Sequence, residues 1–78
     1  MADVMLPKLG MQTVDVDIAR VCVEVGDAVQ VGDPLFEVES EKATVVIEAE
    51  IAGVVADVLV AAGDVVVPGY VLARIEES

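Results

Sequence analysis

Apolar and polar residues alternate one by one along most of this chain, the period of a strand with one buried face and one wet face. The pattern is plainest in "VDVDI" at residues 14–18 and "FEVE" at 36–39, with more apolar stretches at 21–25 and 54–60. It predicts strands over residues 4–6, 14–23, 35–39, 44–48, 54–60 and 70–76, with short extended pieces near Val29 and Val66. The parity of the alternation changes between Ile18 and Val21 and again between Val55 and Val58. One extra residue at each place, a bulge or sharp bend, would return the apolar side chains to one face.

The two parity changes belong to an internal repeat. "VCVEVGDAVQVGDPLFEVE" from Val21 aligns without a gap on "VLVAAGDVVVPGYVLARIE" from Val58, and Gly26 falls on Gly63, an offset of 63 − 26 = 37 residues. Upstream, Ala19 meets Ala56, Ile18 meets Val55 and Val14 meets Ile51. Each copy carries a Gly-Asp turn (Gly26-Asp27, Gly63-Asp64), a short apolar link, a second turn (Gly32-Asp33, Pro68-Gly69) and a closing strand. Two such copies, each covering the other's apolar face, predict an all-β domain spanning residues 1–78. Its form would be a flattened β-barrel or sandwich of antiparallel strands with a pseudo-twofold axis and few open edges. Shifting by 37 carries the neighbourhood of Lys42 onto Met5 and onto the position just past Ser78. The expectation is a hairpin around Lys42 at one end and the two termini together at the other.

Composition narrows the chemistry. The chain is 56% hydrophobic but only 3% aromatic, and the valines behind that excess have stiff branched Cβ atoms suited to a pleated surface. A single cysteine, Cys22, placed by alternation inside a strand, excludes an intramolecular disulfide, and with no histidine there is no His/Cys zinc cluster. Ser40 and Ser78 are the only serines, so no Ser/His or Cys/His constellation can be assembled and the chain is not expected to be an enzyme. Lys+Arg 4 against Asp+Glu 15 gives a net charge of −11, which repels phosphate backbones and anionic membranes. The run from 51 to 63 falls short of the roughly 20 residues a membrane helix needs, and the start "MADVMLPKLG" lacks the pattern of a signal peptide. A soluble, reducing compartment is expected. Asp15 and Asp17, or the Gly-Asp turns, lack the ligand spacing of an EF-hand loop.

That leaves Lys42, set in "VESEKATVVIE" in the one charged gap between two apolar runs. By itself a lysine beside Glu41 and near Glu39 is an ordinary solvated turn residue, and surface ion pairs contribute only about 0–1 kcal/mol. Its context adds more. The turn "SEKA" sits at the junction of the two copies with strands of similar length on both sides. It lacks the glycine of a type I′ hairpin, whereas a four-residue type I turn would tolerate these residues and hold Lys42 outward. Neighbouring carboxylates favour the charged amine, so Lys42 is no activated nucleophile. An enzyme that recognises the folded hairpin and brings an activated acyl group could still convert it to a neutral amide.

"LPKLGM" at residues 6–11, "VGDPLFEVESEKATVVIEA" at 31–49, "GVV" at 53–55 and "PGYVLARIEE" at 68–77 resemble the lipoyl domains of the acyltransferase (E2) components of 2-oxo acid dehydrogenase complexes. The resemblance covers nearly the whole chain. It implies two four-stranded sheets related by a pseudo-twofold axis, with lipoic acid in amide linkage on Lys42 and recognition of the hairpin through Glu41 and Ala43. It further implies a swinging-arm carrier of acyl groups and electrons between active sites, catalysing no step itself. The implied partners are a lipoate ligase or lipoyl transferase, a thiamin diphosphate-dependent decarboxylase (E1), the acyltransferase core (E2) and dihydrolipoamide dehydrogenase (E3). The surroundings would be the bacterial cytoplasm, or the mitochondrial matrix if the domain is cut from a longer precursor. The loop of Leu9, Gly10, Met11, Gln12, Thr13 and Val14 matches the region where the decarboxylase makes contact. The chain departs from the family pattern at Val14-Asp15, where Glu-Gly is common, and at Cys22, near a position often held by tryptophan.

Two other readings stay open from the residues. A biotinyl carrier domain of a carboxylase shares the fold, but resembles Ala-Met-Lys-Met at its turn where this chain has Glu41 and Ala43. An unmodified β module could dock a basic partner on its acidic face.

Overall fold

A computed structural model describes residues 1–7, 15–41 and 43–77. Eight strands follow one another: β1 (Ala2–Met5), β2 (Val16–Val21), β3 (Ala28–Val29), β4 (Pro34–Glu39), β5 (Thr44–Glu48), β6 (Gly53–Val58), β7 (Val65–Val66) and β8 (Val71–Glu77). They form two four-stranded antiparallel sheets in the orders β1-β8-β6-β3 and β5-β4-β2-β7. The all-β expectation holds, and among the described residues no pairing joins the two sheets, so the architecture is a sandwich rather than a closed barrel.

The predicted bulges are present. The register of β2 on β4 shifts between Ile18 and Arg20, and that of β6 on β8 between Val55 and Asp57, 37 residues later. The effect is the one the parity change required: Val16 and Ile18 are buried before the bulge and Val23 after it. Strand ends differ from expectation. β2 stops at Val21, so Cys22 lies just beyond the strand, half-buried and free, although its N–H still donates to Leu35 at 2.9 Å. In the second copy Leu59 N–H donates to Leu72 at 2.9 Å in the same way. Val14 falls outside the described residues.

Four turns share one construction. Residues 24–27, 30–33, 61–64 and 67–70 are each closed by the N–H of the fourth residue donating to the carbonyl of the first, at 3.0–3.1 Å. The third residue is Gly26, Gly32, Gly63 or Gly69, with φ between 91° and 97°. Positive φ there defines a type II turn and selects glycine, and Pro68 takes the second position, which its fixed φ suits. In three of the four an aspartate completes the turn: Asp27, Asp33 and Asp64 each accept the backbone N–H of the turn's first residue at 2.8 Å. Tyr70 stands at the fourth.

The sheets are not the two copies. β3 of the first copy pairs with β6 of the second, and β7 of the second pairs with β2 of the first. The turns reach across with them: Gly26 N–H donates to Val55 and Val55 N–H to Asp27, while Gly63 N–H donates to Ile18 and Ile18 N–H to Asp64. Between the sheets lies an aliphatic core in which Leu35, Phe36, Leu72 and Ile75 are wholly buried.

The offset of 37 does not extend to β1. Ala2 faces Ile75 and Val45 faces Val38, its counterpart, so β1 matches β5 at an offset of 45 − 2 = 43. The symmetry mate of Met5 is therefore Glu48 and not the Lys42 neighbourhood. The difference, 43 − 37 = 6 residues, is accommodated between Leu6 and Val16, where nine residues stand in place of the three between Ala49 and Gly53.

Gly53 is a close-approach glycine. A Cβ there would collide with the backbone carbonyl of Glu76 and meet Ile75 Cγ2 at 2.8 Å. Gly53→Ala is expected to cost about 1–3 kcal/mol, whereas Asp64→Ala, which removes one charge-assisted turn hydrogen bond, should cost about 1–2 kcal/mol. Urea denaturation with an unchanged m-value checks both.

Candidate functional site

β4 and β5 form the hairpin that presents the motif. Their inward faces carry Leu35, Phe36, Val38 and Ile47, which anchor both strands in the core. The ladder runs from Pro34 opposite Glu48 to Glu39 opposite Thr44. Beyond that pair Ser40 closes the turn twice, its N–H donating to the Ala43 carbonyl at 2.8 Å and its hydroxyl to the same oxygen at 3.2 Å. Between them the sequence has Glu41 and Lys42. Glu41 and Ala43 are exposed, while Lys42 lies outside the described residues, as does the turn type that depends on it.

The hairpin end is strongly acidic. β2 runs beside β4 with Asp17 opposite Glu39, and Asp15, Asp17, Glu39 and Glu41 are all exposed there. The other end of the domain belongs to the chain ends. Leaving the far end of β2, the chain reaches β3, whose Val29 pairs with Gly53, and Gly53 faces Glu77 across from β1. The pairings therefore set the described chain ends at the end of the sandwich away from the hairpin.

The loop residues Leu9, Gly10, Met11, Gln12, Thr13 and Val14 lie outside the described residues. What is described is their exit: Asp15 leads into β2 beside Glu39, so the six-residue excess of the first copy rejoins the sandwich at the hairpin end. Sequence reading missed that excess because its gap-free alignment began downstream of it. The signal that could have found it is the match of "ADVML" on "VVIEA" at an offset of 43, too weak in five residues to be seen without the pairing.

A groove of about 740 Å³ runs between the edge strands β1 and β5, walled by Val4, Met5, Val45, Ile47 and Ile51 with the carboxylates of Asp3, Glu48 and Glu50. Among the described residues that line it there is no nucleophile–base pair. Among the described residues no group of three His, Cys, Asp or Glu side chains is placed to hold a metal ion, and Asp27 and Asp64 are already engaged by their own turns.

Residues 2–75 match the family described as "Biotin-requiring enzyme", the biotin/lipoyl attachment family. The chain is 36% identical over 76 residues, 97% of its length, to the dihydrolipoyllysine-residue acetyltransferase component of the pyruvate dehydrogenase complex of Corynebacterium glutamicum. It is 35% identical over all 78 residues to the dihydrolipoyllysine-residue succinyltransferase component of the 2-oxoglutarate dehydrogenase complex of Bacillus subtilis. It spans only 11% and 19% of those two proteins. Among solved structures it resembles the lipoyl domain of the 2-oxoglutarate dehydrogenase complex from Azotobacter vinelandii, with a TM-score of 0.80, 26% identity, and coverage of 99% of this chain and 98% of that one.

The chain belongs to the biotin/lipoyl family, as a lipoyl domain of the acyltransferase-component type.

If Ser40 closes the turn chiefly through its amide, Ser40→Ala should cost less than about 1 kcal/mol, whereas Ser40→Pro, which removes the N–H, should cost about 1–2 kcal/mol. Urea unfolding of the two variants separates the contributions.

Proposed function

We propose that this domain carries lipoic acid in amide linkage on Lys42 and serves as the swinging arm of a 2-oxo acid dehydrogenase complex. The observation that carries the reading is the hairpin. A turn closed on both strands by Ser40 and Ala43, with Glu41 and Ala43 exposed on either side of Lys42 in sequence, offers an attachment site recognisable as a folded shape. The residues present fit the group, because an amide-linked arm needs a lysine in a framed turn and no binding pocket, and Ser40 and Ala43 close the turn in which the sequence has Lys42. When bound, lipoic acid supplies a reducible disulfide whose thiol form accepts and releases acyl groups.

This chain's own contribution is positional. The core-anchored strands fix the hairpin, and the separation of hairpin from chain ends directs the arm away from any tether, so that tethering raises local concentration without obstructing the arm. Glu41 and Ala43 are the recognition residues for a lipoate ligase or lipoyl transferase. Leu9, Gly10, Met11, Gln12, Thr13 and Val14 are the contact residues for the thiamin diphosphate-dependent decarboxylase. The acyltransferase core and dihydrolipoamide dehydrogenase complete the partner set, in a cytoplasmic setting. The relatives' names support this assembly.

Biotin is the second reading, since the family includes both attachments. Glu41 and Ala43 in place of two methionines favour lipoate. Incubation with ATP, lipoic acid and a lipoate ligase, in parallel with biotin and a biotin ligase, followed by intact mass and peptide mapping, decides between them. A lipoyl increment confined to the Lys42 peptide is expected. A biotin increment would move the domain to a carboxylase, and neither would leave an unmodified module. Lys42→Ala should abolish the increment with an unchanged circular dichroism spectrum. Glu41→Met with Ala43→Met should admit biotin ligase; continued refusal of biotin would show that the flanks do not discriminate.

A further inference from the structure

Tyr70 breaks the pattern of the four turns. In the turns at 24–27, 30–33 and 61–64 the fourth residue is an aspartate whose carboxylate accepts the N–H of the first. Tyr70 is the counterpart of Asp33, since 70 − 37 = 33, and the backbone around the two is the same. Gly32 N–H donates to Ala49 and Ala49 N–H to Asp33, both at 2.8 Å; Gly69 N–H donates to Leu6 at 2.8 Å and Leu6 N–H to Tyr70 at 3.0 Å. Nothing in that frame requires an aromatic ring. Among the described residues no side chain takes the aspartate's place at the N–H of Val67. Pro68, found at the second position of this turn alone, presets the turn by its fixed φ and offsets the missing carboxylate.

The turn lies at the hairpin end. β7, which leads into it, sets Val65 opposite Asp17 and Val66 opposite Val16, and Asp17 in turn faces Glu39. Through Leu6 the turn also holds the point where the chain leaves β1, with Met5 and Pro7 exposed on either side. Exposed valines do not distinguish the two ends of the sandwich, since Val31 is open at one and Val65 and Val67 at the other. The ring does. Of the chain's two aromatic side chains, Phe36 is wholly buried and Tyr70 is 47% exposed. Tyrosine joins a large apolar face to a polar tip and is among the residues that most often anchor an interface. The same end carries the exposed carboxylates of Asp15, Asp17, Glu39 and Glu41.

We propose that Tyr70 is an anchor by which the domain docks on the thiamin diphosphate-dependent decarboxylase, filling an apolar socket with a basic rim; this rests on the lipoyl carrier function proposed for Lys42. The decarboxylase is the occupant because the Tyr70 carbonyl accepts the N–H of Leu6, from which the chain runs on through Pro7 to the contact residues at 9–14. The basic rim follows from the carboxylates at this end, since complementary charge steers and registers an encounter. Lipoate ligase reads Glu41 and Ala43 and has no need of the ring.

Three variants test this: Y70D restores the aspartate of the other turns, Y70A removes the ring and Y70F keeps it. Y70D should raise the urea midpoint, because it regains a charge-assisted hydrogen bond, and a lipoate ligase should modify all three as it does wild type. The lipoylated domains are then presented to decarboxylases specific for pyruvate, 2-oxoglutarate and branched-chain 2-oxo acids, each with its own 2-oxo acid, and the acyl increment is followed by intact mass. With the decarboxylase that acylates wild type, KM for the domain should rise at least roughly tenfold in Y70D and Y70A at unchanged kcat, and Y70F should stay near wild type. Amide NMR shifts of the unlipoylated domains, titrated with the same decarboxylase, should give the same order of affinity. The sign for Y70D is decisive, because docking by charge alone would be strengthened by an added carboxylate. The proposal fails if Y70A keeps the wild-type KM, if Y70D lowers it, if Y70D gains no stability, or if a lipoylated wild-type domain is acylated by none of the three decarboxylases. A domain that takes no lipoate at all overturns the carrier function itself.

Discussion

The pairing of β3 with β6 and of β7 with β2 is the interaction on which the rest of the molecule depends, because it makes each half of the chain the lid and edge of the other. A domain of 78 residues buries only about 60% of the surface its unfolded chain exposes, and neither copy has a second sheet of its own to cover its aliphatic face. Exchange of the short strands supplies that cover. It also brings the type II turns to the bulges: the turn at 24–27 grips Val55 and the turn at 61–64 grips Ile18, through two backbone hydrogen bonds each. Bulge, turn and exchanged strand thus form one unit that occurs twice.

Much of this was legible in residues. Strand positions, both bulges and all four turns follow from alternation and from glycine and aspartate placement, since period-2 patterning reports directly which side of a strand is buried. Alternation does not report which strand lies alongside. For that reason the exchange of β3 and β7 between sheets was not visible, nor was the offset of 43 relating β1 to β5. The end of β2 before Cys22 was hidden for a related reason: Cys22 keeps its hydrogen bond to Leu35 and its place in the alternation while leaving the ladder. Lys42 stood out for a different kind of reason, a charged gap at the junction of two copies in a motif with close family resemblance.

Function breaks the symmetry that folding uses. The sandwich treats its two ends alike, with matching strands, turns and bulges, yet only the hairpin end receives the six extra residues between Leu6 and Val16 and only that end carries the Glu41-Lys42 pair. Asp15, which follows those residues, leads into β2 beside the exposed carboxylates of Asp17 and Glu39. A duplicated fold can specialise in this way because the loops between strands bear little of the burial that the core requires.

The pseudo-twofold axis has one more consequence. The end of β8 and the start of β1 occupy the place that the end of β4 and the start of β5 occupy in the other half, with Ala2 facing Ile75 as Val45 faces Val38. The position equivalent to the hairpin turn is thus the break between the chain's own ends. A chain circularised there by a turn of the same length would have two equivalent hairpins, and opening it at residues 40–43 would leave every strand with its present neighbours. The sandwich is in that sense a ring of strands, and the gap between β8 and β1 is one of two equivalent places where it could be opened.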